Sequence, residues 1–146
     1  MNKKRKKFRE LWIDNEKEAT LRLADDFSTR LLGLMFKREI DYPLLFKIPQ
    51  RFNSPSRSAI HTCFMLVEIM AVFIDENNEV FEIARLKPWK YYKPKKSARY
   101  VIEFNEEDYF KCKLKIGDRI KIKNVQMKNY KLWKTKCYKK WWWHIL

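Results

Sequence analysis

The chain has 146 residues, 46% of them hydrophobic, including ten Phe, seven Tyr and six Trp. That composition suits a single domain with an aromatic-rich core and excludes disorder throughout. Three cysteines without a C-x-x-C pair argue against a secreted disulfide framework and point to a reducing cytoplasm, and no signal peptide or eighteen-residue apolar span is read.

The net charge of +15 is unevenly placed. Residues 1–9 carry six Lys/Arg and no acid, and residues 111–146 carry twelve against the single acid Asp118. Residues 10–110 hold fifteen basic and seventeen acidic residues, so the body is nearly neutral and the ends are cationic. A thermophilic surface would enrich Lys and Glu together, yet residues 111–146 contain no Glu. This divides the chain into a basic disordered arm over 1–9, one domain over 10–124 and a basic, Trp-rich extension over 125–146.

In chain order, Phe8, Leu11, Trp12 and Ile13 begin the first ordered element, and residues 19–24 alternate apolar and polar as a half-buried strand. Asp25 and Asp26 are suitable N-caps for a helix over 26–36, in which Phe27, Leu31, Leu34 and Met35 share one face. Gly33 costs such a helix roughly 1 kcal/mol, which predicts a close backbone contact there. Residues 44–48 read as a short strand between Pro43 and Pro49, and 50–58 as an exposed loop with two arginines. Residues 70–74 and 80–84 form a β-hairpin about the turn cluster 75–78, the centre of the expected sheet. The Lys-, Pro- and aromatic-rich stretch 87–96 reads as an extended surface loop. Residues 98–104 form a strand with Tyr100 and Ile102 on one face and Val101 and Glu103 on the other. Residues 106–108 interrupt as an acidic cluster, and Ile116-Gly117-Asp118 is a tight turn into an edge strand with Ile120 and Ile122 inward.

Arg30-Leu31-Leu32-Gly33-Leu34-Met35 with Arg38, Phe64-Met65 before the hairpin, and then KPW, ARYVIE and IGD resemble the family called domain of unknown function 192, or uncharacterised protein family 0127. The resemblance is to its single-domain archaeal members in particular, over roughly residues 19–123. The resemblance implies a β-rich α+β domain with a curved or barrel-like antiparallel sheet and one short packed helix carrying the Arg-Leu-Leu-Gly-Leu-Met motif. It implies no known reaction. Met70 stands where family members usually have Asp, and Asn105-Glu106 where they usually have glycine.

Several groups carry chemistry. His61 and Cys63 would share one face of a strand, and with Cys137 and His144 they could hold zinc only if all four converged; the spacing is not that of a common structural site, and no metal, cofactor or catalytic set is read. Arg30, Arg38, Glu68 and Glu103 could form a small-molecule or acid-base site if the helix packs beside the strands, though structural salt bridges explain them too. A cleft beside Arg30 would separate these readings. In the extension, Lys128, Lys131, Lys136, Lys139 and Lys140 with Trp133, Trp141, Trp142 and Trp143 carry both terms of single-strand recognition: phosphate neutralisation and base stacking. The same residues suit an anionic membrane surface, or a C-terminal staple docked on the domain. The favoured expectation is a non-enzymatic module contacting RNA or single-stranded nucleic acid through its ends.

Overall fold

The computed structural model describes residues 7–25, 30, 32–50 and 54–125. Nine strands are described: β1 (Phe8–Ile13), β2 (Glu16–Leu23), β3 (Leu44–Lys47), β4 (Ile60–His61), β5 (Ile69–Ile74), β6 (Val80–Leu86), β7 (Tyr91–Tyr92), β8 (Tyr100–Phe104) and β9 (Ile120–Asn124). A helix, α1 (Glu106–Cys112), precedes β9, and residues 30 and 32 are helical as well. Seven strands form a mixed sheet in the order β6-β5-β8-β3-β2-β1-β9, and β4 pairs with β7 in a separate two-stranded sheet. Among the described strands of the large sheet, only β2 and β3 pair in parallel.

The expected hairpin is present at β5–β6, and its turn has a clear physical basis. The Asp75 carboxylate accepts the amides of Asn77 and Glu79 at 2.9 and 3.1 Å, and Asn78 takes up φ 61°. β5 is buried along its whole length because both faces of the sheet are covered. Ile69, Ala71 and Phe73 pack with Leu44, Leu86 and Val101 on one side; Met70, Val72 and Ile74 pack with Leu11, Leu21, Ile102 and Phe104 on the other. β8 alternates as its sequence predicts, with Val101 joining the first core and Tyr100 and Ile102 the second.

The sheet curves until its two edges approach one another. Glu79 bridges Arg119, Val80 N–H donates to Asp118 O at 2.9 Å, and Ile120 N–H donates to Asn78 O at 2.8 Å. The sheet is not closed, but these bonds shield the start of both edge strands.

Four features differ from the sequence expectation. β1 begins at Phe8, as the sequence predicts for the first ordered element, so the arm assigned to 1–9 overlaps it: Lys7 O accepts the Leu23 amide at 2.9 Å and Phe8 pairs with Arg22; residues 1–6 lie outside the described residues. Residues 106–108 do not interrupt the fold but open α1, with Asn105 as its N-cap: its Oδ1 accepts the Asp108 amide at 2.7 Å, and three acids sit where the helix dipole favours them. Of the helix expected over 26–36, residues 30 and 32 are helical, residues 33–36 are a turn instead, and residues 26–29 and 31 lie outside the described residues. The expected loop at 87–96 also contributes a short strand, β7, to the small sheet.

Candidate functional site

The turn at 33–36 lies over β3. Gly33 has φ +47°, and a Cβ placed on it would lie 3.8 Å from Phe46 Cζ and 4.0 Å from Leu44 Cδ2. Beside this turn, a cleft of about 170 Å³ opens on the sheet face that carries Phe46, Val101 and Glu103. Its apolar wall includes Leu34, Met35, Ile48 and Met65. Its polar groups are Arg30, Arg57, Ser58, His61 and Glu103.

Glu103 is the unusual member. It sits in the middle of β8, opposite Leu44 on β3 and Ala71 on β5, and only 7% of it is exposed. Burial pushes its carboxyl up to about 8, with no donor or cation among the described residues to offset the loss of water. At neutral pH this acid is therefore mostly protonated and able to donate a hydrogen bond. Arg30 and Arg57 are exposed, whereas Glu103 is buried, so the cleft is cationic at its rim and neutral at its floor. Arg30 Nε donates to Ala24 O at 3.2 Å, which steadies the guanidinium. Ser58 is committed elsewhere: its hydroxyl accepts the Ala98 amide at 2.8 Å and donates to Ala98 O at 3.4 Å.

Of the four residues expected at a body-centred site, Arg30 and Glu103 line the cleft together. Glu68 does not, because Arg85 meets it first at 2.9 Å and also reaches Glu106 at 3.1 Å in an exposed structural network. Arg38 is exposed and is not part of the cleft lining. His61 and Cys63 do not share a strand face: β4 ends at His61, and Thr62 bonds to the 87–90 loop as the chain enters a turn. Cys63 is half-buried, and Cys112 is buried with its thiol pushed up to about 12 by that burial. Among the described residues, no group of three or more His, Cys, Asp or Glu converges as a metal site. Cys137, His144 and the whole lysine and tryptophan set from Lys128 to Trp143 lie outside the described residues. Arg57 and His61 are additions to the predicted site. In sequence, Arg57 stands out only as one of two arginines in the 50–58 loop, and His61 only as a candidate zinc ligand with Cys63.

The profile of the family described as Uncharacterized ACR, DUF192, matches residues 10–122. The chain belongs to this family. Among DUF192 relatives, the UPF0127 protein of Pyrococcus horikoshii is 41% identical over 104 residues, covering 71% of this chain and 88% of that one. A crystal structure from Sinorhizobium meliloti 1021, described as a candidate transcription regulator, is similar with a TM-score of 0.65 and 21% identity over 81% of this chain and 94% of that one. A second, a protein of unknown function from Novosphingobium aromaticivorans, gives 0.62 and 16% over 78% and 83%. At these identities the two structures establish the fold alone. No helix among the described residues is long and apolar enough to cross a membrane.

Proposed function

We propose that this DUF192 domain binds a small amphipathic anion in the cleft between the 33–36 turn and the sheet. The observation that carries the reading is Glu103, a buried carboxyl with no partner among the described residues, on the floor of a concave site rimmed by Arg30 and Arg57. Burial already raises the pKa of this carboxyl, and a ligand acceptor that meets its proton in the cleft adds a hydrogen bond that the described residues do not supply. The apolar wall takes the ligand's body, the arginines take its anionic head, and protonated Glu103 donates to an acceptor or receives a hydroxyl. The cavity size suits a molecule of about benzoate dimensions, since a cavity of about 150 Å³ accommodates benzene. The role is binding; Glu103 could serve as an acid or base only for a bound substrate that presents an acceptor to it.

Thermal unfolding of the full chain with benzoate, hexanoate or phenyl phosphate at pH 6 tests this. At a hundredfold over Kd the stabilisation is about 2.7 kcal/mol, on the order of 5–10 °C in Tm. The shift should vanish in Glu103→Ala and Arg30→Ala. No shift with any of the three anions, or a shift that survives both substitutions, refutes the reading.

The cationic extension supports a second, independent reading, contact with single-stranded RNA, because its charge is concentrated outside a near-neutral body. Deleting residues 125–146 should then abolish a steeply salt-dependent RNA affinity, and unchanged affinity would dismiss it.

A further inference from the structure

Three aromatic residues, Phe36, Phe64 and Trp89, have left-handed backbone with φ of 60°, 59° and 62°. Bulky side chains rarely adopt that region, and such strain persists only where the surroundings enforce it. All three rings face solvent, at 62%, 46% and 60% exposure, and Leu32, whose carbonyl accepts the Met35 amide at the start of the turn that carries Phe36, is 50% exposed. They form one row: Phe36 and Phe64 lie 5.4 Å apart between centroids, and Phe64 and Trp89 lie 4.6 Å apart.

The backbone that holds this row is well bonded. Phe36 N–H donates to Phe64 O at 2.9 Å, tying two of the turns together. Buried Thr62 ties in the third: its carbonyl accepts the Trp89 amide at 2.9 Å, its hydroxyl donates to Lys87 O at 2.7 Å, and that hydroxyl accepts the Lys90 amide at 2.7 Å. A strained backbone fixed by a buried polar hub keeps three large rings in water, where the hydrophobic effect alone would turn them inward.

From these observations we propose that the Phe36–Phe64–Trp89 ridge is a docking surface for an anionic lipid bilayer. Exposed Lys87 and Lys90 flank Trp89 in sequence, and exposed Arg38 follows Phe36, which complements acidic headgroups around an apolar knob. Trp at such a knob sits at the headgroup level, with Phe and Leu reaching deeper. A second copy of the chain fits less well, because face-to-face ridges would bring these cations together. Single-stranded nucleic acid also fits less well: Phe64 packs against both neighbouring rings, so no base can enter between them, and Leu32 offers no stacking face.

The test uses the full chain with vesicles of pure phosphatidylcholine and of phosphatidylcholine with 30% phosphatidylglycerol, measured by co-sedimentation. The anionic vesicles should bind at least tenfold more tightly, and Lys87→Ala with Lys90→Ala should weaken that binding about fivefold for each cation removed. Replacing Phe36, Phe64 and Trp89 together by Ser should lower it by tenfold or more, with thermal unfolding confirming the fold. Should that variant fail to fold, brominated lipid decides: quenching of tryptophan fluorescence should be smaller in Trp89→Phe than in the parent. The proposal is overturned if the ridge and lysine variants bind anionic vesicles like the parent, as they would if only residues 125–146 bound lipid. It is equally overturned if Trp89→Phe leaves quenching unchanged, or if the ridge substitutions abolish RNA binding or self-association but spare vesicle binding.

Discussion

Replacing Glu103 by Gln tests the physical state of the cleft floor without any ligand. The parent carboxyl has its folded-state pKa raised by burial to about 8, against an ordinary value of 4.5. Between these two values the folded chain holds a proton that the unfolded chain has released, so parent stability falls as pH rises through this window and levels off above it. Linkage makes the loss about 2–3 kcal/mol between pH 5 and 7, and about 4 kcal/mol by pH 9. Gln keeps the shape and cannot titrate, while every other titrating group is common to both chains. Urea unfolding of parent and Glu103→Gln at pH 5, 7 and 9 should therefore show the variant gaining on the parent by those amounts. Parallel pH profiles would refute the argument, because they would mean that Glu103 ionises as readily in the folded chain as in the unfolded one.

Thr62→Val should cost about 1–3 kcal/mol, because it strips partners from Lys87 O and the Lys90 amide; hydrogen exchange should accelerate at Lys90, and no change there would argue against the hub. Asn105→Ala should cost about 0.5–2 kcal/mol through loss of the α1 N-cap, read by chemical unfolding. Burial raises the Asp75 carboxyl, but hydrogen bonds from Lys96, Glu79 and Asn77 outweigh it and hold the group below its ordinary value. Its stabilisation is therefore complete above the ordinary Asp pKa and is lost as pH falls through the lowered one. Asp75→Asn should destabilise at pH 7, and the deficit should shrink in acid unfolding.

Apolar, β-branched and aromatic runs on either side of a turn cluster made β5 and β6 legible, and period-two alternation made β8 and β9 so, because each of their side chains answers to one of two faces. The β1–β2 hairpin escaped the reading because its two-residue turn is Asp14-Asn15, with φ of 47° and 66° and no glycine to announce it. Helix α1 escaped because seven residues opened by three acids look like a surface interruption until Asn105 is seen to cap them. At the site, Arg30 and Glu103 were legible as polar residues in apolar surroundings. The role of Glu68 was not, since only pairing of β5 with β6 brings Arg85 across to it. The exposed ridge had no sequence signal at all, because a left-handed backbone at Phe or Trp is imposed by tertiary bonds and not by the residue.

The cleft and the ridge are built from the same two turns. Met35 lines the cleft while Phe36 stands in water, and Met65 lines it while Phe64 stands in water. The sign change in φ at Phe36 and Phe64 separates the two directions, and the 2.9 Å bond between these residues locks the turns to each other. Gly33 fits this arrangement for a conformational reason more than a steric one: a Cβ there would meet Phe46 only at an ordinary contact distance, but φ +47° strains any L side chain. The glycine expected within a helix, at a close backbone contact, is thus instead the residue whose positive φ lets the 33–36 turn lie over β3 and present one side inward and the other outward. Displacing either turn must therefore disturb both surfaces, even though the ligand proposed for one and the bilayer proposed for the other make separate contacts.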